Sequence, residues 1–444
     1  MVAKQAVSNI RTKWLSNNPD LESSSRSRLE SDYSRFAQSK LPPNLEHYLL
    51  ENYGLDVSSS YAGLSIKNPW GKASGQLSMT CQQVAEDAEA GLGFCVLKTL
   101  IAADSSGNQS MAAWAIPESR MVLEPVQGTS GETGWTVSWR GRGWSRSFED
   151  YVGLVRGARQ IGDRSGMLVV PSCKFHLPGP GESDWRIAEY EYTCQHLIEA
   201  YAGSTASGTA IPMPIEKDFS PTLAGSGRST ERMQVLDWLR TVPRLVRSAA
   251  GRDRVRVGLK LFNALFEDDF QLEMLRAVTA NELDRPDFLV YANRLFDPAR
   301  EFEGQRGIAV GGPDLSDRNL RILGEFAART GPRVAAPLDI SATGNILSGR
   351  MAVEYLLRGC SSFQMHTLFQ LPASEFAMKQ GSKAAKAIHK LYFDPAEGFI
   401  AWVLHAARQI GISGTPIRIR DLVQHARSTP RSAGAAPDQA RSNS

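Results

Sequence analysis

Lys98 and Lys260 are the first residues in this sequence that could do chemistry, because each lies in or at the end of an apolar run. A charged amine in such surroundings is costly unless an anion meets it. Such a lysine can hold an anionic ligand, stabilise charge that develops during a reaction, or form a Schiff base. The alternative is a strand-end lysine whose amine reaches solvent.

Three glycines and one turn could hold a phosphate group. They are Gly311, Gly312 and Gly344, with the turn at His366 and Thr367. Glycine lets the backbone approach a ligand closely, and backbone N–H groups then bind the phosphate oxygens. Ordinary loop glycines are the alternative interpretation.

Cys194 is a candidate proton donor or acceptor, because a thiol can act in general acid–base catalysis when its pKa lies near the working pH. The alternative is a small buried hydrophobe, which is the usual role of a lone cysteine. The other four cysteines are interpreted as core residues. No two of the five form a CxxC pair, which argues against a zinc or iron–sulfur site and indicates a reducing compartment.

The bulk composition indicates a soluble globular protein. The chain has 444 residues, of which 42% are hydrophobic and 22% charged, so one large domain with additions or two domains is expected. A net charge of +3 without a basic block argues against a nucleic-acid partner. Residues 1–15 are polar, and no apolar run reaches the roughly 18–20 residues that span a bilayer. We therefore expect a cytoplasmic protein without a membrane span.

Short β-branched runs alternate with amphipathic stretches, and this alternation predicts an α/β protein with a (β/α)₈ TIM barrel. Helices are expected at 79–90, 148–160, 231–248, 270–280, 315–329 and 348–358. Strands are expected at 63–66, 94–98, 167–171, 189–194, 255–261, 288–293, 334–340 and 362–365. The long connections 101–150, 195–230 and 294–314 would lie where barrels build their sites. Residues 195–230 are interpreted either as a mobile lid over the site or as a disordered insertion without function.

The chain is predicted to have four parts. Residues 1–60 form an N-terminal helical extension, interrupted by Leu41-Pro42-Pro43, and residues 61–372 form the barrel. Residues 373–427 form C-terminal helices, and the Ser-, Ala-, Pro- and Arg-rich residues 428–444 form a disordered tail.

Eight segments resemble, in order along the chain, motifs of the dihydroorotate and dihydropyrimidine dehydrogenases. They are 68–75 (NPWGKASG), 91–99 (GLGFCVLKT), 189–196 (EYEYTCQH), 257–261 (VGLKL), 291–293 (YAN), 311–312 (GG), 342–346 (ATGNI) and 364–367 (QMHT). The resemblance covers about residues 61–372 and is closest to the barrel domain of dihydropyrimidine dehydrogenases. It implies an FMN-dependent oxidoreductase that acts on CH–CH or CH–NH groups.

The resemblance also implies residue roles. Lys260 would lie at N1/O2 of the flavin, Lys98 would reach the flavin or the substrate, and Cys194 would exchange a proton with the substrate. The residues expected to hold FMN are Ala73, Ser74, Lys98, Thr99, Lys260, Gly311, Gly312, Thr343, Gly344, Asn345, His366 and Thr367. No metal is implied, and a separate electron donor or acceptor is needed. A homodimer is compatible with these features.

The residues expected to contact the substrate are Glu191, Asn293, Arg294 and His196. Glu191 and Arg294 stand where the resembled enzymes use neutral hydrogen-bonding side chains. A carboxylate cannot donate a hydrogen bond and a guanidinium cannot accept one, so neither can take over the role of such a side chain. This difference predicts a substrate other than dihydroorotate. Two other functions remain open. One is an FMN-binding barrel without redox turnover, serving as a scaffold or sensor, and the other is a non-flavin phosphate-binding lyase or isomerase.

Overall fold

The computed structural model describes residues 13–117, 121–139, 143–202, 211–219, 231–264, 266–282, 284–330 and 338–429. The strands in these ranges are short. They are β1 (Leu55–Asp56), β2 (Ser59–Tyr61), β3 (Leu64–Ile66), β4 (Trp70–Lys72), β5 (Phe94–Val96), β6 (Leu100–Ile101), β7 (Val122–Gln127), β8 (Thr133–Ser138), β9 (Leu168–Val170), β10 (Ser172–Lys174), β11 (Met213–Asp218), β12 (Val255–Phe262), β13 (Phe288–Asn293), β14 (Leu295–Phe302), β15 (Gln305–Val310), β16 (Asp339–Thr343), β17 (Ser362–Met365) and β18 (Ile417–Arg418).

Most of the helices follow a strand of the main sheet, and side-chain caps fix several of their starts. At the first helix after β4, for example, Thr80 and Gln83 exchange side-chain hydrogen bonds with each other's backbone N–H. The helices are α1 (Ser23–Gln38), α2 (Leu45–Tyr53), α3 (Cys81–Glu89), α4 (Phe148–Ser165), α5 (Ile187–Ala202), α6 (Arg232–Ala250), α7 (Asp268–Thr279), α8 (Pro313–Thr330), α9 (Gly349–Leu356), α10 (Lys383–Phe393), α11 (Phe399–Gln409) and α12 (Ile419–Ser428).

The main sheet has ten parallel strands in the order β6-β10-β11-β12-β13-β16-β17-β4-β5-β9. Parallel strands joined by helices are the expected result of the alternating pattern in the sequence. The α/β class is therefore confirmed, and the curled sheet is consistent with a barrel-like arrangement. Because all ten strands run in one direction, their C-terminal ends open on the same side of the sheet.

Two pairs of strands at the ends of this order are close neighbours in sequence. β5 and β6 are separated only by residues 97–99, and β9 and β10 only by Pro171, which has no N–H to donate to a ladder. β5 pairs with β9, and β6 pairs with β10. The same two stretches of chain therefore lie beside each other at both ends of the strand order.

A β-hairpin closes the N-terminal end of the sheet. β2 and β3 pair in antiparallel fashion, and the Tyr61 ring lies 4.5 Å from that of Phe94 and 4.8 Å from that of Phe288. Both phenylalanines begin strands of the main sheet, and all three side chains are buried. The predicted strand at 63–66 is therefore wrong as a member of the parallel sheet, whose first strand is β4.

Two further hairpins lie at the opposite end. β7 pairs with β8 after β6, and β14 pairs with β15 after β13. The sequence was interpreted as long connections at these places, 101–150 and 294–314. These four strands are six to eight residues long; β7, β14 and β15 are mostly half-buried or exposed, whereas most of β8 is buried.

The predicted strand at 189–194 is wrong, because these residues lie inside helix α5. The sequence from Glu189 to Cys194 alternates polar and apolar residues as a half-buried strand does. Over the full helix, however, the buried side chains recur every three to four residues, which is the helical period. A window of six residues was too short to distinguish the two periods.

The strand that occupies this place in the sheet is β11, which pairs with β10 and β12. The sequence did not suggest it, because the run contains Pro214 and ends in the three charged residues Glu216, Lys217 and Asp218. All six residues are buried. The predicted lid at 195–230 is also wrong as a loop, since it includes the end of α5 and all of β11; residues 203–210 and 220–230 lie outside the described residues.

The other predicted strands agree with the structure within a few residues. The predictions at 288–293 and 362–365 are confirmed at both ends, and those at 94–98, 167–171 and 255–261 overlap β5, β9 and β12. Of the strand predicted at 334–340, residues 334–337 lie outside the described residues, and β16 covers Asp339–Thr343. Each of the six predicted helices overlaps an observed one.

Candidate active site at the C-terminal ends of the strands

A cleft of roughly 1290 Å³, counting the part open to solvent, lies at the C-terminal ends of the parallel strands. Its walls come from the residues that follow β4, β5, β11, β12, β13, β16 and β17, and from the two hairpins β7–β8 and β14–β15. Parallel α/β folds build their sites at this edge, because the connections there are free to vary without disturbing the core.

The structure brings most of the sequence-predicted site residues together in this cleft. Lys98 and Lys260 are almost fully buried there. The residues predicted to hold a cofactor that line it are Ala73, Ser74, Lys98, Thr99, Lys260, Gly311, Gly312, Thr343, Gly344, Asn345, His366 and Thr367, and two residues predicted to contact substrate, Asn293 and Arg294, line it as well. Three predicted residues, Cys194, Glu191 and His196, do not.

Cys194 lies in the middle of α5, fully buried in the hydrophobic core and outside the cleft lining. Burial raises the pKa of its thiol well above the usual range, because the charged form is penalised there. The prediction that Cys194 ends a strand beside the substrate is therefore wrong, and the thiol is a core residue like Cys173 and Cys360.

The positions predicted for Glu191 and His196 are also wrong, because both residues lie on α5. Glu191 is exposed on the helix surface and is not the buried carboxylate that the sequence suggested. The His196 ring packs 4.1 Å from the Tyr192 ring, and its Nδ1 lies 2.8 Å from the backbone oxygen of that residue. Neither side chain lines the cleft.

We expect the variant Cys194→Ala to leave ligand binding and any activity of the cleft unchanged, because the thiol does not line the cleft. Loss of one buried sulfur atom should lower the free energy of unfolding by about 1 kcal/mol. Cys360→Ala, at another fully buried cysteine, is the matched control and should behave alike. Urea unfolding and a turnover assay measure the two effects. A hundredfold loss of rate in Cys194→Ala alone would contradict this assignment.

A chain of hydroxyl groups ends on a carboxylate at one side of the cleft. The Oγ1 of Thr99 lies 2.7 Å from Ser74 Oγ and 3.0 Å from Ser172 Oγ. The Thr99 hydroxyl also hydrogen-bonds to Asp218 Oδ2 at 3.2 Å. Hydroxyls both donate and accept, so this arrangement can hold or transfer a proton at the cleft wall.

Lys260 lines the cleft and acts on the charge of Glu216, whose buried carboxyl is not part of the cleft lining. Burial raises the pKa of Glu216, and the positive charge of Lys260 opposes this shift. Glu216 Oε1 accepts hydrogen bonds from the Tyr61 hydroxyl and from Gln364 Nε2. A buried carboxyl with a nearby cation and two donors explains how strand β11 can carry charge into the interior of the sheet.

Arg294 joins the two hairpins that cover the cleft. Its guanidinium donates to the backbone oxygen of Ala309 in β15 at 2.8 Å and to that of Val137 in β8. It also lies over the Trp139 ring, 4.2 Å from the ring centre. Burial lowers the pKa of Arg294 to about 10, so it stays charged at neutral pH. Arg294 therefore lines the cleft as predicted, while its hydrogen bonds bind the hairpins together.

His366 lines the cleft next to Trp139. Its ring is 5.0 Å from that of Trp139, and both of its ring nitrogens are buried without a hydrogen-bond partner among the described residues. Burial lowers the pKa of His366 to about 3, and the cations Arg294, Lys72, Lys260 and Lys98 add to this effect. The cleft is therefore a region of positive potential, which favours an anionic ligand.

We expect His366 to make the protein less stable in acid. Its pKa is lowered in the folded chain, so the unfolded chain takes up a proton below about pH 6.5 that the folded chain refuses until about pH 3. Stability is therefore retained above pH 6.5 and lost as the pH falls. His366→Gln should flatten this decline, since His389 and His405 remain in both proteins. Urea unfolding from pH 8 to pH 4 measures the slopes, and equal slopes would refute the assignment.

Two glycine turns border the cleft, and the N–H of the first one, at Gly311, is already used within the protein. The Gly311 N–H donates to Thr136 Oγ1 at 2.9 Å, so it faces the β7–β8 hairpin and not a ligand. Gly344 has a φ of +113° and Asn345 a φ of +54°, which bends the backbone around the cleft. The Gly344 turn is fixed by Tyr355, whose hydroxyl donates to the Gly344 oxygen at 3.0 Å.

Several polar side chains of the cleft have buried atoms that lack a hydrogen-bond partner among the described residues. They are Ser138 Oγ, Asn345 Oδ1, Gln364 Oε1 and both ring nitrogens of His366. Buried polar atoms in proteins are nearly always satisfied, so a group of them around one cleft indicates a polar ligand. Ser138, Trp139 and Asp218 were not predicted from the sequence, and Gln364, which stands in the motif segment 364–367, was given no role there.

Comparison with protein-family models finds no match to this chain, and comparison with curated proteins finds none either. Across the described ranges, no group of three or more His, Cys, Asp or Glu side chains is arranged to hold a metal ion. No helix in that part of the chain has the length and apolar character needed to cross a membrane.

Proposed function

We propose that this chain is an FMN-dependent oxidoreductase of the dihydroorotate and dihydropyrimidine dehydrogenase type. One observation carries the proposal: the residues that the motif resemblance assigns to FMN, taken from six separate segments of the chain, all line a single cleft. The ends of parallel strands meet at one edge in any case, so the support lies in the residue types that meet there: two buried lysines, glycine turns and buried polar atoms without a partner among the described residues.

The proposal includes a closed eight-stranded barrel. If β5 and β6 are two parts of one strand and β9 and β10 are two parts of another, the order of the sheet returns on itself. Eight strands then remain, each followed along the chain by a helix, as in TIM barrels.

The residues of the cleft fit the chemical requirements of FMN. Its phosphate is doubly charged, and the cleft is positive because Lys98, Lys260 and Arg294 surround it. We assign the phosphate to the turns at Gly344–Asn345 and His366–Thr367. Gly311 is not assigned to it, because its N–H donates to Thr136 in the β7–β8 hairpin. The polar ring edge needs hydrogen-bond partners, and the unpaired Oε1 of Gln364 is the atom we assign to it.

Bound FMN would supply hydride acceptance and donation, and the chain would supply charge and proton handling. Lys260 would stabilise the negative charge of the reduced ring at N1/O2. The proton that accompanies hydride transfer would be held by Asp218 and passed through the hydroxyls of Thr99 and Ser74, whose spacing permits it. These residues replace Cys194 in the role that the sequence suggested.

The substrate is proposed to contain a CH–CH or CH–NH group, and the electrons to pass to or from a separate molecule. The expectation of a substrate other than dihydroorotate loses its basis, because Glu191 is outside the cleft and Arg294 is engaged with the hairpins. Dihydroorotate, dihydrouracil and dihydrothymine are therefore all suitable test compounds.

The deciding experiment is the absorbance spectrum of the purified protein, followed by identification of the released cofactor by mass spectrometry. We expect a flavin spectrum and FMN. Anaerobic mixing with the three dihydropyrimidines, with dithionite as the control reductant, then tests turnover by flavin bleaching. A protein that neither contains nor binds flavin would refute the proposal and leave the phosphate-binding lyase or isomerase. A flavin that no organic substrate bleaches would favour the scaffold or sensor.

A further inference from the structure

Gln364, on β17, connects the cleft to a buried carboxyl beneath it. Its Nε2 donates to Glu216 Oε1 and, at 3.1 Å, to the Tyr61 hydroxyl. Its Oε1 is buried at the cleft and has no partner among the described residues. The side chain is 1% exposed, so bulk water does not satisfy that oxygen. Gln364 was not among the residues that the sequence suggested.

The network beneath the cleft fixes which end of the amide faces the ligand. Burial raises the pKa of Tyr61 well above its usual range, so its hydroxyl keeps its proton and donates it to Glu216. The Tyr61 oxygen can then only accept from Gln364, and the Glu216 oxygen accepts as well. Both contacts require the NH₂ end of the amide. The carbonyl oxygen must therefore point into the cleft.

We infer that Gln364 is a specificity residue that accepts a hydrogen bond from a ring N–H of the bound ligand, and that Glu216 and Tyr61 hold it in that orientation. The inference rests on the proposed function. Gln364 hydrogen-bonds to Glu216, and Lys260 acts on the charge of the same carboxyl. If Lys260 lies at N1/O2 of FMN, Gln364 is placed for the adjacent imide N3–H.

A ligand that lacks this N–H should bind less tightly, because the carbonyl oxygen would stay buried without a partner. Such a loss corresponds to a roughly 10- to 100-fold weaker affinity. The matching probe is 3-methyl-FMN, which carries a methyl group in place of the imide hydrogen and is otherwise unchanged. The full-length chain freed of cofactor is titrated with FMN and with 3-methyl-FMN, and flavin fluorescence gives the two dissociation constants.

Three variants separate hydrogen bonding from shape. Gln364→Leu keeps a similar volume but removes the acceptor, so FMN should bind about 10-fold more weakly, 3-methyl-FMN should be unchanged, and the preference should disappear. Glu216→Gln lets the amide of Gln364 turn, because a glutamine can donate as well as accept, and should reduce the preference. Gln370→Leu, the same change outside the cleft lining, should leave the preference intact.

The outcomes are distinct. A wild-type preference for FMN that is lost in Gln364→Leu supports the inference. Tight FMN binding with equal affinity for 3-methyl-FMN overturns it while leaving the proposed function in place, as does a preference that survives in Gln364→Leu, which would reflect shape alone. Failure of the wild-type chain to bind either flavin overturns both. If Gln364→Leu does not fold, the wild-type ratio and that of Glu216→Gln decide the matter.

Discussion

Replacing Lys260 with alanine is expected to weaken FMN binding by roughly 10- to 150-fold, because a hydrogen bond to a charged group contributes about 1.5–3 kcal/mol. The midpoint potential of the bound flavin should also fall, since the anionic reduced form loses its cation. The chain should still fold. Loss of the Lys260 charge raises the pKa of Glu216 further, which favours the neutral carboxyl and so reduces the cost of removing the cation.

Equilibrium titration with FMN and a redox titration of the bound flavin measure these two changes. Lys379→Ala, at an exposed lysine outside the cleft, is the matched control and should match the wild type in both. A Lys260→Ala protein with wild-type affinity and potential would show that the amine does not meet the flavin. The redox readout separates this role from a merely structural one.

Replacing Gly344 with alanine should destabilise the fold and disable the proposed phosphate site together. Its φ of +113° is strained for any residue with a side chain, at a cost of about 1–3 kcal/mol. An added Cβ would also lie 3.0 Å from Asn319 Nδ2 and 3.0 Å from Leu315. The Asn319 amide donates to the backbone oxygens of Ala292 and Thr343, both at 2.9 Å, so displacing it loosens the ends of β13 and β16.

Gly414→Ala provides the matched control. Gly414 has a similar φ of +125°, but an added Cβ would meet nothing within 4 Å. The control should therefore show the backbone strain alone, whereas Gly344→Ala should lose roughly 1–3 kcal/mol more and bind FMN poorly. Urea unfolding and FMN titration measure both effects. Equal losses in the two variants, with intact FMN binding, would mean that the Gly344 turn does not hold the phosphate.

Local pattern was sufficient for much of the sheet. The run that forms β13 is apolar almost throughout, and those that form β12 and β17 are interrupted by only a few polar residues, so all three are recognisable without a structure as strands covered on both faces. The lysines and glycines at their ends were recognisable for the same reason, since a buried charge or a repeated glycine at a strand end is unusual. Seven of the eight segments with motif resemblance accordingly supplied residues that share one cleft.

Local pattern failed where a residue's environment is set by distant parts of the chain. Glu189 to Cys194 imitate a strand, and the helical period emerges only over the full length of α5. β11 looks too charged to be buried, because its partners come from elsewhere: Glu216 Oε1 accepts hydrogen bonds from Tyr61 and Gln364, which are 155 and 148 residues away. Because the fourth strand was predicted at 189–194 and not at β11, Cys194 was expected to be the residue at its C-terminal end and Asp218 was overlooked.

The sequence by itself therefore determined the α/β class, most of the strands and the set of residues that could hold an anionic cofactor, because burial and glycine content are properties of short segments. Only the tertiary structure decided which residues meet. It placed Glu191 on a surface, turned Arg294 toward the two hairpins, and directed the Gln364 carbonyl into the cleft. Hydrogen bonds between residues far apart in the chain depend on geometry that local sequence does not encode, and these bonds fix what the cleft offers to a ligand.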